Sequence, residues 1–164
     1  PDLIFLARAA GQPPAVGHRV QRPLPALSDA AIAERLDRIR AEDPRVALHL
    51  ELVRVVGLTH RQAARLQPAA SYRDGVLEVF WETPKDQVLR FRITGERPPA
   101  VLRTALALLP APEQAVCPAD QSLPHWLRHV YQLLREVGKI GVPGEPTLAA
   151  LKDPEAPTPV VLPL

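Results

Sequence analysis

Apolar residues recur at helical intervals along much of this chain and alternate at strand intervals in one part of it. Ile32, Leu36 and Ile39 mark one face of a helix predicted over 28–41, with Ser28 as its N-cap. Asp43-Pro44 is a break. The helix that follows, predicted over 45–56, is apolar on most sides, with Val46, Ala47, Leu48, Leu50, Leu52, Val53, Val55 and Val56. That pattern describes a buried central helix, which Gly57 ends. Thr59 caps a short helix through Leu66, and Pro68 is expected to end it. Pro98-Pro99 starts another helix through Val101, Leu102, Leu106 and Leu109. In the stretch 123–137, Pro124 suits a first helical turn and Gly138 the position past the end, while Leu127, Val130, Tyr131, Leu134 and Val137 form the expected core stripe. A last short helix is expected over 147–151.

The β signal is confined to the middle of the chain. Asp74-Gly75 marks a turn, and the segments 76–82 and 88–94 flank residues 83–87 as a hairpin. Leu89, Phe91 and Ile93 alternate with Arg90 and Arg92, so one face packs inward and the other presents arginines. Lys85 rides at the hairpin tip. The expected fold is mainly α with a small antiparallel β-hairpin or sheet, an α+β domain.

Composition divides the chain further. Its 20 prolines concentrate towards the ends, which suggests a proline-rich arm over 1–26, a folded domain over 27–153 and a proline-rich tail over 154–164. The apolar Val160-Val161-Leu162 in that tail is expected to dock on its own domain or on a partner. No apolar run approaches the roughly 20 residues of a membrane span, and no secretory pattern opens the chain, so a cytoplasmic protein without a membrane partner is expected. The lack of any methionine reads as a processed product or a fragment. A net charge of +2 permits nucleic-acid binding without demanding it. Only Lys85, Lys139 and Lys152 are lysines; the arginine bias suits bidentate phosphate contacts and equally follows from a GC-rich genome. The lone Cys117 excludes an internal disulfide framework and reads as an inert small residue.

The order of these elements adds to the picture. A capped helix, a buried helix ending in Gly57-Leu58, a short helix, a hairpin with a lysine tip, a further helix and then His125-Trp126-Leu127-Arg128-His129 resembles the catalytic domain of tyrosine recombinases, the phage-integrase family, over about residues 26–153. The resemblance implies that Lys85, His125 and Arg128 occupy positions of the family's phosphate-binding and proton-donating side chains. The departures are chemical. Where the family carries an arginine after Gly-Leu and then an acidic residue, this chain has Thr59 and Gln62. Arg61 is two residues further along, which turns its side chain by about 200°. The segment Leu148–Asp153 holds neither histidine nor tryptophan, and no tyrosine follows Tyr131; Tyr72 precedes the hairpin. Strand exchange needs a tyrosine oxygen to attack phosphorus and cations to stabilise the charge that develops.

The expectation is therefore a degenerate recombinase-like domain that binds DNA without recombining it. Lys85, Arg90, Arg92, His125, Arg128 and His129 would face the phosphates. No cofactor is expected, and no metal, since His125 and His129 at i, i+4 lack a glutamate after the first histidine. A second recombinase-type subunit or another copy could engage the tail, and the protein would associate with the nucleoid. Three readings stay open beside it: the truncated catalytic domain of a working recombinase, a winged-helix regulator built on residues 57–66, and a protein-interaction module. For His125 and Arg128 the plainer alternative is a solvated helix end or an ordinary ion pair.

Overall fold

The structure, a computed structural model, describes residues 28–80, 87–140, 157 and 160–163. Ser28 opens it by accepting a hydrogen bond on its hydroxyl from the Ala31 amide at 3.2 Å, so α1 starts at a satisfied end and runs Asp29–Glu42. Its Ile32, Leu36 and Ile39 are buried, as their spacing predicts. Asp43 is extended, with φ −151°, and its carboxylate takes the amides of Arg45 and Val46, while Pro44 fills the first turn of α2, Pro44–Glu51. The chain then widens into a π-helical segment, Leu52–Val56, closed by Gly57 at φ 84°. A side chain at that φ would be strained. The burial of Val46, Leu48, Leu50, Leu52, Val55 and Val56 on nearly every side makes α2 and its extension the centre of the core.

Thr59 begins α3, His60–Arg65, and Pro68 opens a one-turn α4, Pro68–Ser71, instead of ending α3. The reason is that α3 has already stopped at the extended Leu66, and proline's fixed φ then suits a fresh first turn. Asp74 (φ 52°) and Gly75 (φ 74°) form the two-residue turn between β1, Tyr72–Arg73, and β2, Val76–Phe80. With β3, Gln87–Arg92, and β4, Val160–Pro163, they make one antiparallel sheet in the order β1-β2-β3-β4. Leu77 faces Phe91 and Val79 faces Leu89 on the core side. Neither β1 nor β4 is foreseen by periodicity. The tail strand covers the free edge of β3, with Leu89 opposite Val161 and Gln87 opposite Pro163; pairing removes an exposed edge, and proline at an outer strand forfeits no ladder bond the sheet needs. The alternative of a tail free for a partner thus gives way, for this strand, to docking on its own domain.

α5, Arg97–Leu108, packs Val101, Leu102 and Ala105 inward. The loop after it is tied to α3 by the Val116 amide on the Leu66 carbonyl (3.0 Å) and the Cys117 amide on the Ala64 carbonyl (2.8 Å), and Arg45 reaches the Ala115 carbonyl at 2.8 Å. Ser122 caps α6, Leu123–Glu136. One expectation about α6 needs correction. Its buried face is Trp126, Val130 and Leu134, while Tyr131 is exposed at 36%. Five residues turn the helix by about 140° relative to Trp126, and the larger ring of Trp126 takes the side facing α2. Gly138 stands just past the helix end, as expected, and the left-handed residue there is Lys139, at φ 54°. Gly138 is required for close approach, since a Cβ there would meet Ile39 Cδ1 at 2.8 Å and the Leu134 carbonyl oxygen at 2.9 Å.

The expected outcome for Gly138→Ala is a loss of about 1–3 kcal/mol in urea unfolding. Adding Ile39→Val, which removes the methyl that the new side chain meets, should recover part of that loss.

Candidate functional site

The stretch after Gly57-Leu58 starts a helix by reciprocal capping. The Thr59 hydroxyl accepts the Gln62 amide at 3.1 Å, and the Gln62 side-chain oxygen accepts the Thr59 amide at 3.0 Å. Both side chains are consumed in starting α3, a reciprocal capping box. Neither carries the positive charge of a phosphate clamp.

The residues singled out from the sequence fall into separate places. Lys85 lies outside the described residues. Arg90 and Arg92 are exposed on the outer face of β3, and Arg90 pairs with Glu78 directly across on β2 at 2.8 Å. His125 and Arg128 are exposed one turn apart on α6. Arg128 borders a cleft of about 780 Å³ shared with Leu127, Tyr131, Arg135 and Ile140. His129 turns away from them, half-buried, with Nε2 at 2.9 Å from an Asp43 carboxylate oxygen. The sequence groups His125, Arg128 and His129 as one surface cluster; in the fold His129 belongs to the junction between α6 and the start of α2.

That junction contains the most unusual chemistry of the described residues. His49, 0% exposed in the middle of α2, receives the Trp126 indole N–H on Nδ1 at 3.2 Å. Indole nitrogen only donates, so Nδ1 must be bare and the His49 proton must sit on Nε2. Nε2 lies 3.0 Å from His60 Nδ1, which therefore accepts, and the His60 proton sits on its own Nε2. The two imidazoles stack at 5.3 Å, and His60 rests against the Tyr131 ring, also at 5.3 Å. Trp126 in turn contacts the His129 ring at 5.8 Å. One directed chain thus runs from indole to imidazole to imidazole across α6, α2 and α3.

Electrostatics follow from the geometry. Burial, helped by the neighbouring His60, pushes the His49 pKa down to about 3. His60, half-buried, is lowered by burial as well. A metal bridging the pair would need His49 Nε2 bare and its proton on Nδ1, facing the indole N–H, so the arrangement opposes one. Among the described residues no group of three or more histidine, cysteine or carboxylate side chains could hold a metal ion. Burial raises the Cys117 thiol, which keeps it protonated and unreactive.

Sequence reading passed over His49 and His60. The available signal was a histidine in mid-helix between Leu48 and Leu50, which must find a partner if buried. Its partner Trp126 stands 77 positions away, beyond any local pattern. No family model, no curated protein and no solved structure matches this chain. Its class is therefore set by the architecture: a mainly helical α+β domain with a small antiparallel sheet. No helix among the described residues is long and apolar enough to cross a membrane.

Trp126→Phe keeps most of the buried ring but removes the donor, and should cost about 1–3 kcal/mol for the acceptor left unmet. The pH dependence has a definite sign. Both histidines bind protons less well folded than unfolded, so their contribution is complete above the unfolded value of 6.5 and is lost as pH falls from there towards about 3 for His49. Urea titrations between pH 7 and 4.5 should show stability falling with acidification. The slope should be shallower, by up to about 1.4 kcal/mol per pH unit for each histidine removed, in His49→Gln and His60→Gln.

Proposed function

We propose that this chain is a DNA-binding domain of tyrosine-recombinase-like build that has lost strand exchange. The observation that carries the reading is the pairing of two features: an exposed His125 and Arg128 one turn apart on the capped helix α6, and a capping box at Thr59 and Gln62 where a working site would need an arginine. The element order supports it too, with a capped helix, a buried helix closed by Gly57-Leu58, a short capped helix, an antiparallel sheet, and two further helices. Arg92 and Arg128, exposed on the sheet and on α6, serve as backbone-phosphate contacts, and Lys85, outside the described residues, is counted with them on the resemblance alone. Arg90, already held by Glu78, contributes less charge than the sequence suggests. Contacts of this kind give affinity and positioning more than sequence recognition, and would associate the protein with the nucleoid. A winged-helix reading has less in its favour, because only the four-residue helix Pro68–Ser71 lies between α3 and β1, too short to enter a major groove.

Gel-shift titrations of duplex DNA at several salt concentrations test the reading. Binding should weaken steeply with salt. Arg128→Ala should weaken it roughly tenfold and reduce the logarithmic salt slope by about one phosphate contact. No covalent protein–DNA adduct should form on a nicked suicide substrate. Absence of binding at low salt would sink the DNA reading, and an adduct formed by the full-length gene product would restore the enzyme.

A further inference from the structure

The buried histidine pair does a job that DNA contact does not require. Its three hydrogen-bonding groups come from three different elements, Trp126 from α6, His49 from α2 and His60 from the first position of α3. Because the indole nitrogen can only donate, the direction of both bonds is fixed, and neither imidazole can take a second proton in place. A proton added to His60 would land on Nδ1, the atom that accepts from His49. Donor would then face donor at 3.0 Å. His49 cannot relieve the conflict by changing tautomer, since its Nδ1 is already taken by Trp126. His49 is sealed in the core, but His60 is half-exposed and can meet protons from solvent. An imidazolium at the first residue of α3 would also oppose the positive end of that helix.

We propose that the His49–His60 contact is a proton-operated latch: protonation of His60 expels its ring from the junction and releases the start of α3 from α2 and α6 while the rest of the domain stays folded. The groups around the latch are consistent with this sense. On α2 the facing group is His49, itself a base; on α6 it is Tyr131, with His129 and its partner Asp43 behind Trp126. Arg61 follows on α3. Asp43, the one carboxylate named here, is engaged with His129. Release would take the His60 ring off Tyr131 and loosen the Thr59–Gln62 start of α3, linking pH to the surface beside Arg128. The inference rests on the junction geometry alone and holds whether or not the chain binds DNA.

The test is nuclear magnetic resonance of the full chain across pH 8 to 4.5. Side-chain nitrogen shifts should report both histidines with the proton on Nε2 at pH 8. As His60 titrates, below the ordinary histidine value, protection of the Trp126 indole N–H and of the α3 amides should fall at least tenfold together, while amides of α1, α5 and the sheet keep theirs. In His60→Gln, whose side-chain oxygen accepts without titrating, the step should vanish; in His129→Gln it should persist. Titration of His60 with α3 protection unchanged would overturn the latch. So would simultaneous loss of protection in every element, or no titration of His60 before the whole domain unfolds. These outcomes are read on the wild-type chain and decide the matter even if a variant does not fold.

Discussion

The fold depends on the requirement that a polar side chain inside an apolar helix be fully satisfied. His49 sits in the part of the chain that loses most contact with water, and an imidazole stranded there would cost about as much as the removal of a sizeable core side chain. The indole N–H of Trp126 and the bare nitrogen of His60 meet that requirement together. They can do so only if α6 and α3 approach α2 at one relative position. A contact between apolar faces tolerates sliding; two directional bonds on one ring do not. The burial of Trp126, the exposure of Tyr131 and the contact of Gly138 with Ile39 fit the same seating of α6 on the core.

A second set of constraints fixes the outer elements through charge. Asp29, at the start of α1, pairs with the buried Arg54 at 2.8 Å and with Arg97 at 3.1 Å, so one carboxylate joins α1, the π-helical segment and the start of α5. Arg40 binds both Asp37 on its own helix and Glu51 at the end of α2. Arg54 Nε is buried without a hydrogen-bond partner, so the Asp29 contact compensates its burial only in part. These pairs also change what the net charge means. Arg90, Arg40, Arg54 and His129 are turned towards carboxylates of the same domain, which leaves the exposed side chains of Arg92, His125 and Arg128, among the described residues, as basic groups on the proposed contact surface.

The region after Gly57-Leu58 shows how a helix cap and a core contact are combined at one helix start. An arginine at the position of Thr59 could not supply the short oxygen that starts α3, and an acid at Gln62 would serve the box only through its carboxylate. With threonine and glutamine the helix begins at a closed ring of two hydrogen bonds. Helix α3 then carries His60 to His49 at its first residue. Capping and the histidine chain are therefore one local arrangement.

Much of the architecture was written in the sequence, because it follows from short-range rules. Ser28 and Ile32-Leu36-Ile39 specify α1, apolar residues on most sides specify a central α2, Asp74-Gly75 specifies a turn, and the alternation of Leu89, Phe91 and Ile93 with arginines specifies which side of β3 is buried. Each needs only a period or a cap within a few residues. What the sequence could not decide were the matters of phase and partner. Whether Trp126 or Tyr131 faced the core depended on where α2 lay, since both belong to apolar-looking stripes of the same helix. Val160-Val161-Leu162 had no visible company until β3 offered its edge. His49 and His60 looked like polar exceptions until folding brought Trp126 across 77 residues to one of them. Local geometry settles which elements form; only tertiary contact can say which buried atoms must hydrogen-bond to one another, because that demand arises when water is removed.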